Sequence, residues 1–124
     1  IKLDHIDSFI ESRVGIGTHY IKKLKNNKNL TLLNYEDSSF NYFSLRVLKD
    51  RNHLLEYLDS KGISTAIYYP VPLPNLNAHV SHRTQEHYEN ASSLADTIFS
   101  LPIWPMMSLD TVDVITDEIN EYYN

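Results

Sequence analysis

NYFSLRVLKDRNHLLEYLDSKGISTAIYYPVPL, residues 41–73, runs through three backbone regimes in succession. Phe43, Leu45 and Val47 alternate with Ser44, Arg46 and Leu48, the pattern of a half-buried strand. Asp50 then stands as the N-cap of a helix reaching Lys61, with Leu54, Leu55 and Leu58 turned inward and Gly62 as its stop. The apolar run ISTAIYY, 63–69, predicts a second strand, giving a β-α-β unit. It ends against Pro70, Pro72 and Pro74, which have no N–H to give a ladder, so the sheet stops there. Tyr68 and Tyr69 hold the last strand positions, where alternation sends one ring to each face. One ring can then pack in the core while the other projects beside the proline loop. Binding residues concentrate on loops held by rigid scaffolds. The structural alternative has both rings simply filling core and rim.

Outward from this unit the pattern stays mixed. Upstream, Leu3, Ile6, Ile10, Val14, Ile21 and Leu24 keep near a helical period, with Phe9 and Tyr20 widening the stripe. Lys22, Lys23, Lys25 and Lys28 gather where they complement the helix dipole, and Asn26-Asn27 reads as the stop. Gly15 and Gly17 sit inside this helix at a cost of about 1 kcal/mol each against alanine, which points to close packing on a neighbour. LTLLNY, 30–35, predicts a further strand. Downstream, 74–83 reads as loop, and Thr84 caps a helix with Tyr88, Ala91, Ala95 and Ile98 inward. SLPIWPMM, 100–107, is short and extended. Ser108 caps a last helix, with Asp110 in its first turn and Val112, Ile115, Ile119 and Tyr122 inward. The expected order is α-β-β-α-β-α-(β)-α. The fold class is α+β, a single domain over 1–124 in which a small, mostly antiparallel sheet carries packed helices.

Composition narrows the function classes. A net charge of −5 argues against nucleic acid as a partner, since that needs a basic face. With no cysteine there is no disulfide framework, iron–sulfur cluster or thiolate zinc site, which fits a reducing, cytoplasmic setting. No apolar run approaches the roughly 18 residues of a membrane span. The nine tyrosines suit surfaces that are half apolar and half hydrogen-bonding. The opening IKLDHID has neither an initiator methionine nor a signal-peptide pattern, the look of a piece of a longer protein.

Few residues suggest chemistry of their own. Gly15-Ile16-Gly17 lacks the third spaced glycine of a phosphate loop and lies inside the helical stripe. His79, His82 and His87 fall in or beside a loop with no carboxylate at ligand spacing other than Glu86 and Glu89, so no metal site is expected. No Ser-His-Asp set or carboxylate pair stands out. Residues for a binding wall are present; catalytic residues are not.

Four stretches together resemble the C-terminal domain of the DegT/DnrJ/EryC1/StrS sugar aminotransferases, fold-type I enzymes that use pyridoxal phosphate. RVGIGTHYIKKL resembles a helix of that family, with Gly17 where alanine is usual. YFSLRVLKDRNHLLEYLDSKGIST resembles its strand, its Arg-Asp helix start (here Arg51-Asn52) and its Leu-x-x-x-Gly-Ile-x-Thr turn at Leu58, Gly62, Ile63 and Thr65. YYPVPL resembles its His-Tyr-Pro-x-Pro-Leu-His loop at Tyr69, Pro70, Pro72 and Leu73. SLPIWPMMS resembles its Ser-Leu-Pro segment before the closing helix. Tyr68 and Pro74 replace the loop's two histidines, and Tyr68 keeps a hydrogen-bonding group without histidine's titration near neutral pH.

The resemblance implies a function. This chain would be the C-terminal small domain of a nucleotide-sugar aminotransferase that moves an amino group from glutamate to a keto-sugar nucleotide for cell-surface polysaccharide. Tyr68, Tyr69 and Pro70 would line the substrate cleft. The Schiff-base lysine and phosphate cup for pyridoxal phosphate would lie upstream in a larger domain, leaving no catalytic residue here. The whole enzyme would be a homodimer. Two alternatives stand beside this: a sugar dehydratase of the same family, and a free-standing ligand-binding or regulatory domain of ferredoxin-like type built on the β-α-β unit.

Overall fold

The computed structural model describes residues 2–76 and 88–124. Its centre is the strand β2, Phe43–Val47, flanked antiparallel by β1, Leu30–Leu32, and β3, Ile98–Leu101, in the order β1-β2-β3. Leu45 stands opposite Leu32 on one side and Phe99 on the other. Alternation along β2 works as its sequence requires: Phe43, Leu45 and Val47 are buried, while Ser44 and Arg46 are half-buried on the opposite face.

The buried face is covered by α1, Ile6–Leu24, α2, Arg51–Ser60, and α4, Leu109–Tyr122. Tyr20 of α1 stacks on Phe43 with ring centroids 4.7 Å apart, and its hydroxyl donates to the Pro102 carbonyl at 2.9 Å. Phe43 also stacks on Tyr35, which stacks on Phe40. Gly17 explains one of the two helical glycines. A Cβ there would lie 2.2 Å from the Phe40 ring, so the helix and ring can meet only without a side chain. Gly15 has open space around its Cα and no such reason.

Ion pairs fasten the helices at their rims. Asp113 of α4 receives His19 at 2.8 Å and Lys23 at 3.1 Å from α1, and Lys23 also reaches Asp117 at 3.0 Å. Glu118 receives Lys61 at 2.9 Å and the Tyr57 hydroxyl at 2.8 Å. The His19 hydrogen bond, followed by that of Lys23, holds the Asp113 carboxyl below its usual range. Lys61 and then Tyr57 do the same for Glu118. Burial pushes the Tyr35 phenol up to about 12. Ser108 caps α4 as expected, its Oγ accepting from the Thr111 N–H at 3.2 Å. Gly62 closes α2 with φ at 75°, a left-handed value that glycine takes at no steric cost.

Several expectations need correction. Residues 63–69 are not a strand; they touch the sheet through one bridge, Ala66 to Ser100, with bonds of 3.1 and 2.7 Å. Pro102 follows β3 at once and stops pairing on the Ser64 side of the bridge, while on the other side residues 67–69 make no backbone bond to Phe99 or Ile98. The real third strand is the one that opens SLPIWPMM. Without a strand at 63–69 the β-α-β unit does not form, and the ferredoxin-like reading loses its footing. Asp50 occupies the N-cap of α2 in a left-handed conformation with no side-chain cap, leaving its carbonyl to accept from Leu54 at 3.2 Å. In the first segment Lys2–His5 is a turn of 3-10 helix, and Leu3, Ile6 and Val14 are exposed; the buried face is Ile16, Gly17, Tyr20 and Leu24. The helix α3 spans Glu89–Thr97, so Tyr88 precedes it and is exposed, and Ile98 belongs to β3. Thr84 as a cap and the three histidines fall outside the described residues.

Candidate functional site

The proline segment leaves the Ala66 bridge and crosses the outer side of the sheet. Neither tyrosine enters the core: Tyr68 is 40% exposed and Tyr69 71%. The expected split of the two rings between opposite faces fails because strand alternation does not hold outside a ladder. The Tyr68–Tyr69 peptide is cis, and the two rings meet edge to face with centroids 5.6 Å apart. Tyr68 also leans on Tyr42, just before β2, at 4.7 Å. Beyond them Leu73–Asn75 forms a 3-10 turn, closed by Asn75 N–H to the Pro72 carbonyl at 2.9 Å.

Between this segment and α3 lies a cavity of about 540 Å3. Tyr69, Pro70 and Leu73 wall one side, and Ala91 and Leu94 the other. Two arginines hold α3 in place. Arg46, pointing outward from β2, donates to Thr97 Oγ1 and Ser93 Oγ, each at 2.9 Å. Arg51, at the start of α2, donates to the carbonyls of Ala95 and Ile98. The last carbonyls of a helix have no partner within it, and a guanidinium there satisfies them and complements the dipole. Tyr68 separates this cavity from a second, more polar groove of about 280 Å3, bordered by Asn41, Tyr42, Ser64 and Thr65.

The three expected site residues, Tyr68, Tyr69 and Pro70, thus come together along one wall of the apolar cavity. Sequence reasoning missed Tyr42, Arg46 and the polar groove. A signal existed for Arg46: a cation between two buried strand residues needs hydrogen-bond partners on the opposite face. None existed for the pairing of Tyr42 with Tyr68, which depends on where the chain turns after Ala66.

The chemistry available is recognition. Among the described residues no group of His, Asp or Glu is placed to hold a metal. Among the described residues no lysine borders either cavity; Lys23 and Lys61 are engaged in ion pairs elsewhere, with Asp113 and Glu118. These residues therefore do not fit pyridoxal phosphate. Among the described residues no helix is long and apolar enough to cross a membrane.

Residues 1–120 match the profile of the DegT/DnrJ/EryC1/StrS aminotransferase family. The chain is 32% identical over 117 residues to the erythromycin biosynthesis sensory transduction protein EryC1 of Saccharopolyspora erythraea, covering 91% of this chain and 32% of that protein. It is 30% identical over 124 residues to the dTDP-3-amino-3,6-dideoxy-alpha-D-galactopyranose transaminase of Aneurinibacillus thermoaerophilus, covering 98% and 34%. Its fold superposes on S. venezuelae DesV, solved with a ketimine intermediate, at a TM-score of 0.90 and 28% identity, over 98% of this chain and 34% of that one. The chain thus spans about a third of the length of the relatives it matches.

Proposed function

Because this chain belongs to the DegT/DnrJ/EryC1/StrS aminotransferase family, we propose that it is the C-terminal small domain of a nucleotide-sugar aminotransferase. The whole protein transfers an amino group from glutamate to a keto-sugar nucleotide, in the cytoplasm, toward cell-surface polysaccharide. The enzymatic name of the Aneurinibacillus relative supports amino transfer over the dehydratase alternative. Pyridoxal phosphate supplies the amino-group chemistry when bound, and it is held by residues outside this chain. The complete enzyme is a homodimer.

The observation that carries this chain's share is the placement of Tyr68 and Tyr69, two exposed rings on a proline-stiffened segment beside a concave surface. Tyr68, Tyr69 and Pro70 form the substrate wall. The Tyr68 hydroxyl bonds a polar group of the nucleotide-sugar while Tyr69 braces the loop. In the complete enzyme, Tyr68→Phe is expected to cost about 0.5–1.5 kcal/mol in kcat/KM, the net worth of one hydrogen bond, with the melting temperature unchanged. Unaltered kcat/KM returns Tyr68 to a packing role. For the cofactor, borohydride reduction of this chain mixed with pyridoxal phosphate is expected to give no stoichiometric adduct at any single lysine. Light scattering of the complete enzyme at micromolar concentration checks the dimer, and an active monomer rules it out.

A further inference from the structure

Glu11, Val14, Gly15, Thr18, Lys22 and Lys25 are exposed on the side of α1 turned away from the core, with half-buried Ile21 beside them. These positions recur at spacings of three and four, so they form one stripe. It lies across the helix from the buried residues Ile16, Gly17, Tyr20 and Leu24. Val14 is 37% exposed there. Gly15 weakens the helix, yet nothing lies within 4 Å of where its Cβ would stand, so no contact among the described residues accounts for it.

The charges of the stripe are segregated. Glu11 stands toward one end and Lys22 and Lys25 at the other, and none of the three forms an ion pair among the described residues. Beside the stripe runs a groove of about 720 Å3, with Val14, Thr18 and Ile21 on one bank and Glu36 and Asp37 on the other. This acidic bank belongs to the Glu11 half. Arg13 donates to the Ser39 carbonyl at 3.0 Å, and the Phe40 ring lies against Gly17.

A second α1, antiparallel across a two-fold axis at Thr18, fits both the shape and the charge. That register sets Glu11 opposite Lys25, Val14 opposite the stem of Lys22, and Gly15 opposite Ile21 of the second copy. Each contact is then made twice with the roles exchanged, as an isologous interface requires. Ile21 enters the space left open at Gly15, and the two lysines approach the acidic half. A parallel pairing in register would set like charges together, which is unfavourable. We propose that this face of α1 is a self-association surface that takes a second copy of the chain in antiparallel register. The inference stands apart from the nucleotide-sugar reading. In a complete enzyme already dimeric through other surfaces, the same contact joins one dimer to another. A single helix pair is smaller than a standard interface, so the dissociation constant is no tighter than about micromolar.

Sedimentation of the 124-residue chain from micromolar to millimolar concentration is expected to show a monomer–dimer equilibrium. Glu11→Lys and Lys25→Glu should each weaken it about 10-fold, since two exposed ion pairs become like-charge contacts. The double exchange should restore it, and the two single variants, mixed, should pair with each other more tightly than either does with itself. Gly15→Gln should also weaken pairing while raising the melting temperature of the dilute monomer, because the helix gains propensity. The chain has no cysteine, so Thr18→Cys supplies one thiol on the axis. Oxidation is expected to cross-link it and to leave Glu56→Cys, exposed on α2, monomeric. A monomer at every concentration overturns the proposal. So does a dimer that the single charge exchanges do not weaken or the double exchange does not restore.

Discussion

The two faces of the sheet are held by different forces. On one, Phe43, Leu45 and Val47 sit under three helices, and the contacts are apolar area and stacked rings. On the other, α3 is tied by two guanidinium groups to hydroxyls and to helix-end carbonyls. Apolar burial is non-directional and favours filling every gap. Hydrogen bonds from arginine fix a position without requiring the surfaces to close. The face built by area has become core, and the face built by directed bonds keeps concave surface beside Tyr68.

That contrast can be broken from the inside first. Phe43→Ala removes the ring on which Tyr20 and Tyr35 stack and is expected to cost about 3–5 kcal/mol, read by urea denaturation. A loss below 1 kcal/mol would mean the stack is not what holds this face. Arg51→Met leaves the carbonyls of Ala95 and Ile98 unpaired while keeping the aliphatic stem. The expected cost is about 1.5–3 kcal/mol, confined to the outer face. Hydrogen exchange should quicken at α3 while β2 keeps its protection. Equal quickening of both would show the two faces to be one cooperative unit.

Gly17→Ala is the next smaller effect. Overpacking costs about 1–3 kcal/mol, and alanine returns about 1 kcal/mol of helix propensity, so a modest destabilisation is expected. Gly15→Ala, with open space at its Cα, should instead stabilise; the opposite signs are readable in paired thermal melts. The smallest effect concerns the rim. The Asp113 carboxyl is held below its ordinary value by His19 and Lys23, with Asp117 sharing Lys23. Its stabilisation is therefore present above the ordinary carboxylate value and is lost as pH falls through the lower folded one. Asp113→Asn should lower the melting temperature slightly at pH 7 and leave it unchanged at pH 2.

Much of the inner face was legible in the sequence because burial writes itself as period. Alternation at 43–47 and the 3.6-residue stripe from Leu54 and from Val112 named core residues correctly. The same signal misled at 63–69. Apolar, β-branched and aromatic residues there describe half-burial, which a segment can have without a ladder. It misled again at Leu3, Ile6 and Val14, which keep the helical period but are exposed. Of the site, Tyr68, Tyr69 and Pro70 were legible from the proline spacing and the family loop. Tyr42, Arg46 and the groove were not.

What the sequence determined by itself was the class of the fold, the identity of its helices and the family to which the chain belongs. These follow from local periodicity, from residues whose backbone preferences act at their own position, and from motifs in a fixed order. Which strand sits beside β2, where the two tyrosine rings come to rest, and that Asn41, Ser64 and Thr65 share a groove were decided only in three dimensions. Each of these joins residues far apart in the chain, and their meeting is set by long-range pairing such as the Ala66–Ser100 bridge, which no single stretch of the chain contains.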